Sequence, residues 1–172
     1  MGGWKLYVYM AFFLALGIVF QGLRWLLPLP PPVSMFLIGS LVNMTLLLAV
    51  RITQRRRAAC IGLLLPLVAF LQGQLSIVPM VFLVGMGNAA YVLWANYCWK
   101  HLSVWTAPLL KALLLYSGTK GLFFALGLTG PLAAALLFMM SWPQVFTGAA
   151  GLFLARCLLP RLQFFPHTKE NK

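Results

Sequence analysis

Acidic residues are almost absent from this chain of 172 residues. Glu170 is its single acid, whereas Lys and Arg together number 13, so the formal net charge is +12. The apolar part of the chain therefore has no carboxylate that could carry a proton, act as a general acid or base, or hold Mg²⁺. This absence excludes carboxylate-dependent proton carriers, carboxylate-based hydrolases and cation channels with acidic rings.

Motifs for catalysis and cofactor binding are missing as well. The chain has no P-loop pattern, and its cysteines, Cys60, Cys98 and Cys157, share no CxxC spacing. The two histidines, His101 and His167, lie outside the apolar runs. We therefore predict a protein that is not an enzyme, carries no cofactor and has no metal site.

Charged residues of either sign are few, and apolar residues are abundant. Hydrophobic residues make up 62% of the chain and charged residues 8%, with a mean hydropathy of +0.93. A soluble domain has about 25% charged residues, and a chain of this length has too little interior to hide so much apolar surface. The composition predicts a protein embedded in the lipid bilayer. Nucleic-acid binding is not expected despite the basic charge, because the cations flank apolar runs instead of forming a soluble basic domain.

Prolines, basic clusters and a polar break divide the chain into apolar segments. A helix needs about 20 residues to cross the hydrocarbon core. We predict one all-α integral membrane domain over residues 1–172, with six transmembrane helices at 6–27, 33–50, 58–71, 77–99, 104–128 and 143–159. Two interpretations of segment 130–143 stay open: a re-entrant piece, or part of the sixth helix.

The basic residues gather in alternate connections. Those at the N-terminus, in the second and fourth connections and in the C-terminal tail are Lys5, Arg51, Arg55, Arg56, Arg57, Lys100, Arg156, Arg161, Lys169 and Lys172. The other connections hold only Arg24, since Lys111 and Lys120 fall within the fifth predicted span. The positive-inside rule then predicts that both termini are cytoplasmic.

Polar residues near the outer ends of the predicted spans are candidates for binding a ligand. They are Arg24, Gln72, Gln74, Tyr116 and Lys120. Arg24 either meets an anionic group or extends to the outer headgroups, and Tyr116 is equally well explained as a core aromatic residue. Lys120 is expected to face the bundle interior or an aqueous cavity, because facing lipid would be costly.

Three further polar residues lie within the spans. Lys111 is near the inner end of the fifth span, and we expect it to extend toward the cytoplasm. Asn43 and Asn88 lie near mid-membrane, where amides usually form hydrogen bonds between helices.

Several short motifs resemble those of the substrate-binding S components of energy-coupling factor (ECF) transporters. Ala11 and Ala15 form an Ala-xxx-Ala pair in the first span. The other motifs are GSLVN at 39–43, QGQL at 72–75, Pro79 and Gly87-Asn88. The resemblance covers residues 8 to 130 and extends to the last third only by topology.

The resemblance implies a subunit of an ABC-type importer in a bacterial plasma membrane. Such a subunit binds a micronutrient from outside and docks through the face of Ala11 and Ala15 on a coupling transmembrane subunit, which two cytoplasmic ATPases drive. Metal-ion S components use histidines near the N-terminus, and this chain has none there.

The expected cargo is an anionic, partly aromatic molecule, because Arg24 and Lys120 face no acid. A carboxylate-bearing vitamin and a haem-like tetrapyrrole both fit this description. Aromatic residues available to stack on it are Trp25, Phe36, Phe82, Tyr116 and Phe123.

A second hypothesis comes from a different class of protein. The small-residue helix faces would also suit a membrane scaffold or assembly protein without transport activity. A passive channel is disfavoured, since the sequence has neither a ring of charges nor a carbonyl-rich loop.

Overall fold

The computed structural model describes residues 3–75 and 77–162, and over these residues the chain is helical with no strand. The α-helices are α1 (Gly3–Leu26), α2 (Pro31–Ile52), α3 (Arg55–Leu71), α4 (Val78–Tyr97), α5 (Ala107–Leu126), α6 (Pro131–Met139) and α7 (Trp142–Leu158). Short 3₁₀ turns at Leu102–Thr106 and Leu159–Arg161 precede α5 and follow α7. The predicted all-α class is confirmed.

Proline and glycine set most helix boundaries. A proline occupies one of the first two positions of α2, α4, α5, α6 and α7. Its missing N–H costs little there, because the first N–H groups of a helix have no partner within the helix. Gly127 ends α5 with φ 64°, and Gly130 precedes α6 with φ 98°. Both angles lie in the left-handed region, where residues with a Cβ are strained.

Five helical stretches are long and apolar enough to cross a membrane. They are Trp4–Leu26, Pro31–Ile52, Val78–Tyr97, Leu102–Leu126 and Pro131–Arg161. Helix α3 is apolar but only 17 residues long. These lengths indicate a multi-pass membrane protein. Whether α3 forms a sixth span, and on which side the termini lie, stay predictions.

The segment left open by the sequence forms a short separate helix. Helix α6 has nine residues, none of them buried, and the non-helical residues Met140 and Ser141 separate it from α7. The last predicted span, 143–159, corresponds closely to α7.

Helix α2 is the centre of the bundle. It packs against α1, α3, α4 and α7. Within the most apolar 18-residue stretch of each helix, 61% of the residues of α2 are buried, compared with 22% of those of α1. Where α2 packs against α7, a Cβ on Gly151 would lie 2.6 Å from the Cβ of Asn43 and 2.8 Å from the backbone N of Met44. Only glycine therefore permits this contact, which holds the polar residues of α2 and α7 side by side.

Basic residues stack on tryptophan at the end of the bundle where α2 and α4 end. The guanidinium carbons of Arg51 and Arg156 lie 5.2 Å and 5.6 Å from the centroid of the Trp99 ring. Arg156 Nη2 also donates a hydrogen bond to the Trp99 carbonyl at 2.9 Å. Arg24, near the end of α1, lies at the opposite end. The bundle thus has one strongly basic end with arginine–aromatic contacts.

Candidate ligand-binding cavity

A cavity of about 180 Å³ lies inside the bundle, and all seven α-helices contribute to its lining. Its lining begins at Arg24 and Gln74, near the ends of α1 and α3, and continues inward to Asn43 and Lys111. On α2 the lining residues extend from Met35 to Asn43, eight residue steps or roughly 12 Å along the helix axis. The cavity therefore extends from one end of the bundle toward its middle.

Lys111 is the buried lysine at the inner end of this cavity. Its side chain is 4% exposed, and its Nζ donates a hydrogen bond of 2.7 Å to Asn43 Oδ1. The same Nζ lies 5.4 Å from the centroid of the Tyr91 ring. None of the described residues is acidic, and the single acid of the sequence, Glu170, lies outside them. An ammonium group buried without an anion costs several kcal/mol, which neither an amide nor an aromatic face fully offsets.

The orientation of Lys111 differs from the one expected. The sequence interpretation had it extend to the cytoplasm, and this is wrong, because the side chain turns into the bundle. Lys111 shares a stripe at four-residue spacing with Ala107, Leu115 and Thr119, all buried. That spacing was visible in the sequence, but the apolar residues all round α5 hid which face is the interior.

Asn43 connects three helices around Lys111. Its Oδ1 accepts the hydrogen bond from Lys111, and its Nδ2 lies 3.4 Å from Thr147 Oγ1. The Thr147 hydroxyl in turn lies 3.4 Å from the Gln144 carbonyl oxygen. The prediction that Asn43 bonds between helices is confirmed, and the partners are α5 and α7.

Asn88 compensates for a proline inside α3. Pro66 has no N–H, so the carbonyl of Gly62, four residues earlier, lacks its usual helical donor. Asn88 Nδ2 donates to that carbonyl oxygen at 3.2 Å. A Cβ on Gly62 would lie 3.2 Å from the Asn88 Cβ, so the two helices are already in close contact there. This amide is thus committed to joining α3 and α4, as predicted for an interhelical asparagine.

Glutamines hold the outer end of the cavity together. Gln74 Nε2 donates to the Gln21 carbonyl at 3.0 Å and to Gln72 Oε1 at 2.7 Å. Gln21 Nε2 donates to the Leu65 carbonyl at 3.2 Å. The Gln21 Oε1 atom is buried without a hydrogen-bond partner among the described residues. The polar break after α3 is thereby fixed to the end of α1, next to Arg24.

The structure brings some of the predicted ligand-binding residues together and leaves others apart. Arg24 and Gln74 line the cavity, and Gln72 contacts it only through Gln74. Tyr116 and Lys120 are exposed on α5 and do not line this cavity. The expected interior position of Lys120 is wrong. Lys111 and Lys120 are nine residues apart, so they lie about half a turn from each other around α5. Because Lys111 occupies the inner face of this helix, Lys120 lies on the outer face.

The proposed stacking residues also lie elsewhere. The lining includes none of Trp25, Phe36, Phe82, Tyr116 and Phe123, and it includes no other aromatic residue among those described. Its apolar part is aliphatic and thioether and consists of Met35, Ile38, Val42, Pro66, Ala69, Leu75, Val84, Met139 and Met140.

The pair expected to dock on a partner is at the protein surface. Ala11 and Ala15 are both exposed on one face of α1. Among the described residues no cluster of three or more His, Cys, Asp or Glu could hold a metal ion.

No family model, no curated protein and no solved structure matches the chain. The resemblance to ECF S components therefore stays a prediction from short motifs, and the cavity carries the functional argument.

Proposed function

We propose that this protein captures a small anionic molecule from the extracellular side of a bacterial membrane. The observation that carries the proposal is Lys111, a buried lysine at the inner end of a cavity, with no acidic side chain among the described residues to pair with it. A bound anion would supply the missing charge in a site of low dielectric, where such a pair is strong.

The charge map supports the proposed capture from the extracellular side. The cavity ends near Arg24 and Gln74, at the end of the bundle opposite the arginines of α2, α3 and α7. With those arginines placed inside by the positive-inside rule, the cavity faces outward. With six spans, both termini are then cytoplasmic.

The larger assembly we propose is an ECF-type importer. The chain has no P-loop, so energy for transport would come from a coupling transmembrane subunit and two cytoplasmic ATPases. The exposed Ala11 and Ala15 offer a surface on α1 against which another helix backbone can approach closely.

The test compares two lysines on one helix. The full chain, Lys111→Met and Lys120→Met are purified in mild detergent, and co-purifying small molecules are identified by mass spectrometry. We expect an anionic molecule with the wild type and with Lys120→Met, and its loss with Lys111→Met. Retention of the same molecule by Lys111→Met, or its absence from every preparation, would contradict the proposal.

Docking is tested in the same preparations. Ala11→Leu places a bulky side chain on the exposed α1 face, so we expect loss of co-purifying ATPase subunits with retention of the ligand. A scaffold protein would behave differently: Ala11→Leu would release its partners, and no variant of the cavity would change a bound small molecule.

A further inference from the structure

Two basic side chains line the cavity, and they lie at its two ends. Arg24 lines the outer end and is exposed, whereas Lys111 lines the inner end and is buried. None of the described lining residues is acidic. A ligand with one anionic group could neutralise only one of these cations, whereas a ligand with an anionic group at each end would pair with both.

The wall between Arg24 and Lys111 combines aliphatic and amide side chains and contains no aromatic ring. Methionines and branched aliphatic residues supply its apolar part, and the amides of Gln21, Asn88 and Gln144 also line it. Met side chains are flexible and adapt to saturated chains of varied shape. Such a wall fits a saturated carbon chain better than a flat aromatic system, which would be expected to meet aromatic side chains.

The size of the cavity limits the ligand further. Its volume of about 180 Å³ is below the roughly 300–1,000 Å³ usual for drug-sized ligands. The cavity extends roughly 12 Å along α2, so a volume this small implies a narrow, elongated shape. A tetrapyrrole is too large for this space, whereas an extended chain of a few carbons fits it.

The geometry at Lys111 suits a carboxylate. An ammonium group has three donors, and Asn43 Oδ1 accepts one of them at 2.7 Å. A carboxylate oxygen can accept another, next to the Thr147 hydroxyl that also lines the cavity. At the other end, the planar guanidinium of Arg24 can bind a second carboxylate through two parallel hydrogen bonds.

We infer that the ligand is a small aliphatic dicarboxylate, bound with one carboxylate at Lys111 and the other at Arg24. This inference rests on the proposed capture function and narrows its substrate class, since it sets aside both the haem-like and the aromatic vitamin-like cargo.

The test uses matched acids on the purified full chain in nanodiscs. Succinate, glutarate, adipate, pimelate and suberate vary the distance between carboxylates, hexanoate has the length of adipate with one carboxylate, and phthalate is an aromatic dicarboxylate. Binding is measured by isothermal titration calorimetry. We expect the best aliphatic dicarboxylate to bind at least about tenfold more tightly than its monocarboxylate match, and more tightly than phthalate.

Variants assign each end of the ligand. Arg24→Gln changes an exposed side chain and should make the dicarboxylate bind no better than the monocarboxylate. Lys111→Met should weaken both acids by about tenfold or more, and Lys120→Gln should leave both unchanged. Arg24→Gln keeps the test valid even if Lys111→Met disturbs folding.

Two results separate this inference from the capture function. If monocarboxylates bind as tightly as dicarboxylates and still depend on Lys111, or if phthalate binds most tightly, the dicarboxylate inference is overturned and capture of anions stands. If no acid binds and no anion co-purifies with the wild type, both are overturned.

Discussion

At the scale of single residues, Asn43 and Lys111 depend on each other for burial. Asn43 Oδ1 is the hydrogen-bond acceptor for the buried ammonium, at 2.7 Å. We predict that Asn43→Leu lowers the free energy of unfolding by roughly 1.5–3 kcal/mol, as for hydrogen bonds to charged groups. In a Lys111→Met background the same change should cost much less, because no buried cation is left without its acceptor. Thermal and denaturant unfolding in mild detergent measure the coupling, and strictly additive effects would contradict this account.

Gly151 is a second single residue on which the fold depends. An added Cβ would meet Asn43, Met44 and the Ser40 carbonyl within 3 Å, and two of these contacts are backbone atoms that cannot rotate away. Gly151→Ala should therefore push α2 and α7 apart and destabilise the protein by about 1–3 kcal/mol. Gly121→Ala is the matched control, because a Cβ there meets nothing within 4 Å. We expect it to be neutral or stabilising in the same unfolding measurement, and equal losses for both variants would show that close packing at Gly151 is not the cause.

At the scale of elements, the packing of α3 against α4 depends on Pro66 in α3 and on the side-chain amide of Asn88 in α4. Asn88 supplies the hydrogen bond that Pro66 denies to the Gly62 carbonyl. We predict that Asn88→Ala costs about 0.6–1.7 kcal/mol of stability, the range for hydrogen bonds between membrane helices. In a Pro66→Ala background the cost should fall toward zero, because the alanine N–H can then bond to Gly62. A double-mutant cycle on unfolding free energies tests this. If Asn88→Ala lowers the free energy of unfolding equally in both backgrounds, the explanation is wrong.

At the scale of the whole molecule, the membrane topology decides which side the cavity faces. The basic end with Arg51 and Arg156 is predicted to be cytoplasmic, and the end with Arg24 extracellular. In a chain whose three native cysteines are replaced by alanine, the single variants Leu29→Cys and Leu71→Cys should react with a membrane-impermeant maleimide in intact cells. The variants Gln54→Cys and His101→Cys should react only after permeabilisation.

The same labelling also tests α3 as a span. Gln54 precedes α3, and Leu71 is the last residue of this helix of 17 residues. If the cysteines introduced at both positions react from the same side, α3 does not cross the membrane. If the His101→Cys variant reacts from outside, the orientation of the protein is the reverse of the predicted one, and the cavity opens toward the cytoplasm.

The sequence by itself determined the membrane character, the helical class and most helix boundaries of this protein. Composition does not depend on how helices pack, and prolines and glycines act on the backbone within a turn of their own position. The sequence also marked Arg24 and Gln74 as polar residues near the outer ends of spans, and the structure places both at the cavity.

Only the tertiary structure decided which lysine of α5 faces the interior. Lys111 and Lys120 are nine residues apart and so lie on opposite faces of the helix, which means that one of them must point away from the bundle. In lipid both faces of a helix are apolar, so hydropathy does not reveal which side meets other helices. The choice is made by contacts distant in sequence, above all the approach of α2 to α7 at Gly151, which brings Asn43 to the position where it accepts a hydrogen bond from Lys111.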